Sequence, residues 1–586
     1  MKNYLLITLG HNSSAIFVQG ASCDESSKPM VIGYEEERLS RIKADSQFPY
    51  DAIKEIEFNV GREAMANCRI LVSHWFNFTG FEIPNKYITL ADINYLKGIS
   101  EDIKFVDEDF THHDAHAYSA YAFRDYFTKQ AGNIPVFCIV ADGFGNNEEV
   151  FSIYRRDAEC KPELINRIYN PINSLGLFYQ YATSFVGMKE NQDEYKFLGY
   201  EAHIEKCFND EAIIKIAAYS DVIVEDFKKA FADNANKVVK KMDDDAPFCS
   251  FEKLKFVKQY WHKIFTEAIK EIGIPESDAN VFEARVAIAF LIQRTVEKIL
   301  LCVIASYGMK HICLAGGLFY NVKLNNAILE YVNSVEGTLS IMPLAGDQGA
   351  AIGMYAAEDD VQQFPFNTLA IGIRRLYNIE KYANNVFNIP SSKEESEELA
   401  SQIAKYIADN RIVDIIFGNM EFGPRALCNT SSIFLPRTEL TAENNANNLR
   451  NEVMPCAPIC TNENASKLFN AEELNRVIGS DRFMICTHTY KKPYSRLYAG
   501  AMHEKTLSVG PDYTGRPQIV KNGSFMWHIL NAVERICDAK CLVNTSFNVH
   551  GNPIVFDTAD IISNYKFQCE HAEKNGTEKP ILIIIK

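Results

Sequence analysis

The chain contains the stretch Val136-Phe137-Cys138-Ile139-Val140-Ala141-Asp142-Gly143-Phe144-Gly145, in which an apolar run leads directly into an aspartate and two glycines. A short apolar run is typical of a buried strand, and glycines after it allow backbone to approach a bound phosphate closely. The aspartate can then position a metal ion or a water molecule. A plain hairpin turn explains the same residues equally well. The stretch predicts an α/β fold with a candidate nucleotide loop at Asp142, Gly143 and Gly145.

Two further loops follow regular elements and carry similar residues. Residues 284–306 have apolar side chains at helical spacing, and a strand predicted at residues 311–314 runs into Gly316 and Gly317. Adjacent glycines after a strand suit close contact with a nucleotide. Asp347 stands in a loop of small residues before another predicted helix. It is either a metal ligand or an ordinary helix N-cap.

Two histidines four residues apart offer a metal site. They belong to the run His112-His113-Asp114-Ala115-His116, and the residues after it suit a helix. On a helix, His112 and His116 leave the same face about one turn apart, so they can share one ion. Asp347 would complete a site of two histidines and one carboxylate. A chance helical pair is the commoner explanation of this spacing, so the pattern alone leaves both open.

A candidate anion site lies further along the chain. In Glu421-Phe422-Gly423-Pro424-Arg425-Ala426-Leu427, backbone N–H groups and a guanidinium can cradle an oxyanion. An acidic and polar stretch at residues 358–367 separates this region from the preceding one. We therefore predict two mixed α/β domains, residues 1–362 and residues 363–586. A metal site together with an anion site indicates activation of a phosphorylated small molecule.

The composition argues against several classes of protein. The chain has 586 residues, 47% of them hydrophobic and 23% charged, and a formal net charge of −16. This acidity disfavours direct binding of polymeric nucleic acid, and no apolar run approaches the roughly 20 residues that span a bilayer. The 15 cysteines are scattered without a C-x-x-C pair, which favours reduced thiols and a cytoplasmic location. P-loop, dinucleotide-binding, nucleophile-elbow and H-E-x-x-H motifs do not occur.

The order of the motifs resembles the NodU/CmcH family of O-carbamoyltransferases over nearly the whole chain. The matching motifs are residues 10–15, 35–43, 112–116, 142–145, 174–179, 194–199, 316–321, 346–347, 421–427, 512–518, 544–548 and 553–554. The resemblance implies a duplicated α/β domain of the actin/sugar-kinase type over residues 1–362, shared with the tRNA threonylcarbamoyl-transfer enzymes. It implies a YrdC-like α/β domain over residues 363–586.

The resemblance also implies a two-step reaction. In the C-terminal domain, carbamoyl phosphate and ATP give carbamoyl-adenylate, with Mg²⁺ accompanying the ATP. In the N-terminal domain, a hydroxyl of a small metabolite takes the carbamoyl group and AMP leaves. The implied acceptor is an antibiotic- or sugar-like molecule or a hydroxymethyl-pyrimidine nucleotide. Neither a membrane nor polymeric nucleic acid is an expected partner, and a homodimer is left open.

Roles for individual residues follow from the same resemblance. His112, His116 and Asp347 would hold an iron-like divalent ion, and His11 would act as the base for the acceptor hydroxyl. The nucleotide site would comprise Asp142, Gly143, Gly145, Glu194, Gly316, Gly317 and Asn321. The site for carbamoyl phosphate and the adenylate would comprise Arg425, Arg450, Arg516, Asn544, Ser546 and Asn548. Arg425 and Arg516 would also take part in catalysis.

The chain departs from the family pattern at three positions. Thr430 and Met454 stand where the family carries arginine, and Gly510 stands where it carries histidine. Each charge-assisted contact is worth roughly 1.5–3 kcal/mol, so losing two guanidiniums weakens the case for tight carbamoyl-phosphate binding. Arg437 and Arg450 are the candidates to compensate.

Three other interpretations stay open at this point. In the first, the C-terminal domain is a degenerate binding module and the adenylate is made elsewhere. In the second, the protein is a non-catalytic scaffold that binds a nucleotide and a metal ion. In the third, it is a sugar-kinase-like phosphotransferase, which would convert ATP to ADP rather than to AMP and pyrophosphate.

Overall fold

The fold is known from a computed structural model of the chain. It describes residues 2–20, 30–75, 87–128, 134–157, 161–235, 251–358, 368–450, 456–504 and 513–586. The predicted domain boundary between residues 362 and 363 lies outside these ranges, as do Met454, Gly510 and Asp512.

The N-terminal half contains two five-stranded sheets with one shared topology. The strands of the first are Asn3–Thr8 (β1), Ser14–Val18 (β2), Val31–Glu35 (β3), Cys68–Trp75 (β4) and Ile103–Val106 (β5). Those of the second are Val136–Ala141 (β6), Glu149–Arg156 (β7), Glu163–Tyr169 (β8), His311–Ala315 (β9) and Thr338–Ile341 (β10). The orders are β3-β2-β1-β4-β5 and β8-β7-β6-β9-β10. In each sheet the first three strands pair antiparallel and the last two are added in parallel, so the expected duplicated α/β fold is confirmed.

The helices of the N-terminal half are Glu36–Ser40 (α1), Tyr50–Val60 (α2), Arg62–Ala66 (α3), Leu90–Ile99 (α4), His112–Thr128 (α5), Leu175–Phe185 (α6), Glu194–Phe197 (α7), Ile204–Cys207 (α8), Asp210–Ala235 (α9), Phe251–Lys270 (α10), Phe282–Ser306 (α11), Val322–Ser334 (α12) and Asp347–Ala356 (α13). Two of them, α5 and α13, lie between the two sheets. α5 and α13 share one buried apolar core with β1 and β6. A Cβ on Gly353 of α13 would lie 1.6 Å from Ala115 O of α5, so the helices cross where only glycine fits.

The C-terminal half is built on a seven-stranded mixed sheet. Its strands, with those of two small sheets, are Ala370–Gly372 (β11), Asn385–Phe387 (β12), Val413–Phe417 (β13), Met420–Glu421 (β14), Thr430–Phe434 (β15), Ala457–Cys460 (β16), His488–Thr489 (β17), His503–Glu504 (β18), Tyr513–Gly515 (β19), Gln518–Ile519 (β20), Leu542–Ser546 (β21) and Ile581–Ile585 (β22). The order in the large sheet is β12-β22-β13-β15-β21-β16-β20, while β11 pairs with β14 and β19 joins β17 to β18. The helices are Lys393–Ala408 (α14), Thr438–Asn447 (α15), Asn462–Leu468 (α16), Ala471–Arg476 (α17), Tyr494–Leu497 (α18), Phe525–Cys537 (α19) and Thr558–Asn575 (α20).

The regular elements expected from hydrophobic patterning are present. The long apolar helix is α11, and the strand before the paired glycines is β9. Both halves are mixed α/β, as predicted. Among the residues that the structure describes, no helix is long and apolar enough to cross a membrane.

The large C-terminal sheet buries one carboxylate without a full set of partners. Asp414 lies on β13 and has no exposed surface. Ser432 Oγ donates to its Oδ1, and Oδ2 has no hydrogen-bond partner among the described residues. Burial raises the pKa of Asp414 to about 7, although the hydrogen bond from Ser432, the nearby amide of Gln568 and the charge of Arg450 lower it.

We expect Asp414→Asn to stabilise the protein increasingly as the pH rises. An acid with a raised pKa in the folded state holds its proton there while the unfolded chain has released it, so stability falls with rising pH between the two pKa values. Between these pKa values the free energy of unfolding falls by about 1.4 kcal/mol per pH unit. Asparagine removes this dependence on pH and keeps an acceptor for the Ser432 hydroxyl. Thermal melts of both proteins between about pH 5 and pH 8 measure the effect. Melting temperatures that keep a constant difference over this range would contradict it.

Candidate active site

Four side chains from three elements converge beside the second sheet. His112 and His116 stand on the first turns of α5, Asp142 directly follows β6, and Asp347 begins α13. The two Nε2 atoms are 3.2 Å apart, and each lies 3.3–3.8 Å from one oxygen of each aspartate. All four atoms lie within 4.8 Å of one another, and these four residues form the candidate metal-binding cluster, or metal cluster for short.

These separations fit a single divalent metal ion. Ligands about 2.0–2.2 Å from an ion in tetrahedral geometry are roughly 3.3–3.6 Å apart, close to the spacing found here. Two imidazoles and two carboxylates form a mixed nitrogen and oxygen donor set, which suits zinc, iron or manganese more than calcium. The structure thus brings together the three predicted ligands, His112, His116 and Asp347, and adds Asp142, which we had placed in the nucleotide loop.

Atoms around the cluster orient two of its members. His112 Nδ1 lies 3.0 Å from the carbonyl oxygen of Ser73, which can only accept, so Nδ1 donates and Nε2 is the ring nitrogen left to bind a cation. Asp142 Oδ1 accepts from the backbone N–H groups of Gly143 and Gly317, at 2.8 and 3.3 Å. This leaves Asp142 Oδ2 to face the histidines. Both orientations are those that a metal ligand requires.

The charges within the cluster favour a bound positive charge. Burial lowers the pKa of His112, but the two aspartates outweigh it and hold that pKa well above its ordinary value. Burial raises the pKa of Asp142, but the histidines outweigh it and hold that pKa well below its ordinary value. Burial and the charge of Asp142 act likewise on Asp347, and the histidines still bring its pKa to about 2. A bound cation would displace the proton that the aspartates hold on the histidines.

Glycines let three backbone segments meet at Asp142. A Cβ on Gly316, which has φ +102°, would lie 2.2 Å from Ala141 O, and one on Gly176 would lie 2.6 Å from the carbonyl carbon of Asp142. One on Gly317 would lie 3.1 Å from Asp142 Oδ1. The predicted nucleotide glycines 143, 316 and 317 are therefore packed around the metal cluster. Gly145 is held nearby, where its added Cβ would lie 2.6 Å from Glu149 Oε1.

A buried ionic network fixes the start of α5. Thr111 and Asp114 cap the helix reciprocally, through Thr111 N to Asp114 Oδ2 and Asp114 N to Thr111 Oγ1. Glu149, fully buried, accepts from His113 N at 2.9 Å and from Arg167 Nη1 at 2.9 Å. Arg167 also binds Asp114 at 2.9 Å. These contacts hold the two metal-facing histidines in register.

The remaining residues predicted for the N-terminal site lie at its edges. His11 is exposed, and its ring meets Tyr87 edge-on with centroids 6.2 Å apart. A Cβ on the preceding Gly10 would lie 3.3 Å from Asp347 Oδ2, so the turn that carries His11 reaches the metal cluster. Asn321 is buried and caps α12 through Leu324 N. Burial raises the pKa of Glu194, on α7, to about 7.

Two neighbouring guanidiniums of the C-terminal half, those of Arg425 and Arg516, have no counter-ion in the described part of the chain. Arg516 is buried and Arg425 is half-buried, and no hydrogen bond or ion pair joins either of them to another residue in the described ranges. Burial lowers the pKa of Arg516 well below its ordinary value, and the charge of Arg425 lowers it further. Burial also lowers the pKa of Arg425 to about 10, against the opposite influence of Tyr320 and Tyr195. Two neighbouring cations that lack a carboxylate partner among the described residues offer charge-assisted donors to an anion.

The other predicted anion-binding residues separate into two groups. Asn544 lies beside the loop of residues 422–429, which contains Gly423, Pro424 and Arg425 and is called the Gly-Pro-Arg loop. Its Nδ2 donates to Ala426 O at 2.8 Å, and its buried Oδ1 has no partner in the described part of the chain. Arg450 instead binds the loop after β21, donating to Ser546 O at 2.7 Å and to Asn548 Oδ1 at 2.9 Å. Ser546 and Asn548 are therefore engaged by Arg450 within the protein.

Buried contacts connect the metal cluster to the Gly-Pro-Arg loop. Gln348, the residue after Asp347, donates through Nε2 to Glu35 Oε1 at 3.2 Å. Glu35 Oε2 accepts from Gly423 N at 3.1 Å and pairs with Arg38 at 2.9 Å. Arg38 in turn donates to Gly423 O at 2.8 Å. The backbone two residues before Arg425 is thus held by the N-terminal half.

Two family models match the chain in these same two halves. One, described as the carbamoyltransferase N-terminus, matches residues 87–357, and the other, the carbamoyltransferase C-terminus, matches residues 404–570. The chain belongs to the carbamoyltransferase family. In this carbamoyltransferase the cluster of His112, His116, Asp142 and Asp347 lies within the first match, and Arg425 and Arg516 lie within the second.

Relatives of the carbamoyltransferase are distant. It is 23% identical to nodulation protein NolNO of Sinorhizobium fredii over 599 residues, which covers 95% of this chain and 77% of that one. It is 26% identical to an uncharacterized protein of Methanocaldococcus jannaschii over 411 residues, covering 67% of this chain and 69% of the other. A crystal structure of full-length HypF in its phosphate- and nucleotide-bound form is 13% identical, with a TM-score of 0.28, over 61% of this chain and 55% of that one. So low a TM-score carries no argument, and the fold rests on its own strand order.

Proposed function

We propose that this carbamoyltransferase activates carbamoyl phosphate with ATP in its C-terminal half and transfers the carbamoyl group to a hydroxyl of a small metabolite in its N-terminal half. The pair of Arg425 and Arg516 carries the proposal. Enclosed guanidiniums without a carboxylate partner need an anion, and phosphate oxygens match their forked donors.

The first step makes carbamoyl-adenylate. Water releases inorganic phosphate from carbamoyl phosphate and leaves a carbamate. A carbamate oxygen then attacks the α-phosphorus of ATP, which accompanies Mg²⁺, forming an O–P bond and expelling pyrophosphate. Arg425 and Arg516 would bind the phosphate oxygens and the charge that develops on them. The unpartnered Oδ1 of Asn544 would accept a hydrogen bond from the carbamoyl amide.

The second step transfers the carbamoyl group. The acceptor oxygen attacks the carbamoyl carbon, the bond from that carbon to the adenylate oxygen breaks, and AMP leaves. His11, on the turn next to the metal cluster, would take the proton from the acceptor hydroxyl. The backbone of Gly143, Gly316 and Gly317 would lie against the nucleotide phosphate, with Gly145, Glu194 and Asn321 at the edge of the same site.

A divalent ion completes the N-terminal site. His112, His116, Asp142 and Asp347 would hold the ion, for which we propose iron, and the bound ion would neutralise negative charge on the adenylate phosphate. The acceptor we propose carries a hydroxyl on an antibiotic, a sugar or a hydroxymethyl-pyrimidine nucleotide. A cytoplasmic location is part of the proposal, and a homodimer is left open.

Product analysis separates this function from its rivals. The purified protein is mixed with ATP, carbamoyl phosphate, Mg²⁺ and Fe²⁺ without an acceptor, and we expect pyrophosphate that depends on carbamoyl phosphate. A panel of sugar and nucleotide alcohols is then added, and one should gain the mass of a carbamoyl group while AMP appears. ADP as the product would identify a phosphotransferase. Nucleotide binding without pyrophosphate would identify a degenerate C-terminal half and overturn the proposed first step.

A further inference from the structure

Glu421, on β14, holds the Gly-Pro-Arg loop in shape. Its Oε1 accepts from the backbone N–H groups of residues 427, 429 and 430 at 2.8, 2.7 and 2.9 Å. Its Oε2 accepts from Thr430 Oγ1 at 2.7 Å. The side chain has no exposed surface. The buried carboxylate of Glu421 therefore binds residues 427–430, which follow Arg425, through four hydrogen bonds. A buried carboxylate is costly unless a positive charge lies nearby.

The loop needs this restraint because its backbone has a positive φ at two points, one of which is not a glycine. Cys428 has φ +74°, a conformation that side chains other than glycine rarely adopt, and Gly423 has φ +101°. Arg425 lies between these two residues. Its guanidinium can meet a phosphate only if the loop stays in this shape, because a displacement of about 1 Å costs as much as a hundredfold in rate.

Arg374 brings the positive charge to Glu421. It follows β11, the strand that pairs with β14, and its side chain is 2% exposed. Its Nη2 lies 3.7 Å from Glu421 Oε2 and donates to Thr430 Oγ1, and its Nη1 donates to Asn429 O at 3.2 Å. One guanidinium thus contacts the carboxylate, the hydroxyl and a carbonyl of the same loop. Burial lowers the pKa of Arg374 to about 10, and the charge of Glu421 acts to raise it.

The contacts of Arg374 account for the threonine at position 430, where the family pattern has arginine. The family pattern carries arginine there, and this chain has a fully buried threonine whose hydroxyl receives the guanidinium of Arg374. We propose that Arg374 is the positioning residue that replaces the arginine absent at position 430, and that through Glu421 it keeps Arg425 in the geometry that binds carbamoyl phosphate. This inference deepens the proposed function and rests on it. Arg437 and Arg450, the replacements considered from the sequence, are not needed for this role.

The adjacent Arg375 offers a matched control. It belongs to the same segment, but its guanidinium pairs with Glu55 of α2 at 2.8 Å and lies over the ring of Phe58. Removing it takes one arginine and one ion pair from the segment and leaves Glu421 and Thr430 in place. Differences between variants at positions 374 and 375 then report on the Gly-Pro-Arg loop.

The test is a rescue experiment on the full chain. We expect Arg374→Ala to raise the Kd and KM for carbamoyl phosphate roughly 10–100-fold, while Arg375→Ala stays near wild type and metal binding is unchanged in both. Adding Thr430→Arg to Arg374→Ala places a guanidinium in the vacated volume beside Glu421, and it should restore most of the loss. Calorimetry with carbamoyl phosphate and pyrophosphate release are the two readouts.

These variants decide whether Arg374 positions the Gly-Pro-Arg loop. A double variant no better than Arg374→Ala, or an Arg374→Ala protein that matches Arg375→Ala, would overturn the inference. If Arg374→Ala does not fold, Arg374→Lys keeps the charge and loses the fork, and an unchanged Kd for carbamoyl phosphate in that variant would overturn it too. Wild-type protein that neither binds carbamoyl phosphate nor forms pyrophosphate would instead show that the proposed function has failed.

Discussion

Arg516→Ala is expected to suppress the formation of pyrophosphate from ATP in the presence of carbamoyl phosphate. The variant removes one of two neighbouring guanidiniums that lack a counter-ion among the described residues, so the anion loses a charge-assisted contact and half of the local positive charge. We expect kcat/KM for carbamoyl phosphate to fall about 100-fold or more. Initial rates of pyrophosphate release at varied carbamoyl phosphate measure it. Metal binding in the other half should be unaffected.

Arg411→Ala is a suitable control for this variant. Arg411 lies in the same half and pairs with Glu578 at 2.6 Å, away from the Gly-Pro-Arg loop. An equal loss in both variants would mean that general damage to the C-terminal half, rather than loss of an anion contact, explains the Arg516 result. An Arg516→Ala protein that keeps the wild-type kcat/KM would remove the pair from the proposed mechanism.

His116→Ala is expected to separate the two steps of the reaction. The variant removes one of four ligands, so affinity for the divalent ion should fall more than about 100-fold. Transfer of the carbamoyl group to an acceptor should be lost, whereas pyrophosphate release should persist because it occurs in the other half. Metal content after dialysis, pyrophosphate release and AMP release measured on one preparation test this.

His113→Asn provides the matched control on the same helix. The His113 ring turns away from the cluster, with Nδ1 2.8 Å from Ser152 Oγ, and an asparagine keeps a polar atom at that position. Its metal content should match wild type. Loss of pyrophosphate release together with metal in His116→Ala would show that the ion also serves the first step, contrary to the division proposed.

The sequence predicted the elements of the site better than their combination. His112 and His116 could be placed on one helix face because their spacing is local, and Asp347 could be placed at a helix start. Asp142 was predicted to face a nucleotide, and its place among the metal ligands depends on the end of β6 meeting α5 across the core. No pattern within a single segment shows that the end of β6 packs against α5. The signal available was its position after a buried strand.

The contacts between the halves were also beyond sequence patterns. Glu35 and Arg38 belong to a recognised motif, but nothing local shows that they bind the backbone at Gly423, far along the chain. Arg374 carries no motif at all, and its importance appears only when β11 pairs with β14. Departures from a family pattern, such as Thr430, were the available hint that another residue had taken over a charge.

The hold that Glu35 and Arg38 have on Gly423 limits how such a chain can be inherited. A gene divided between its halves would expose an acid and a base that are each 2% accessible in the intact protein, and it would release the loop that presents Arg425. Exchange of the N-terminal half for that of a distant relative would keep this hold on the loop only if the new half carried an acidic side chain and a guanidinium at the same points. Fusion and joint descent of the two halves are therefore favoured by the chemistry of a single buried junction.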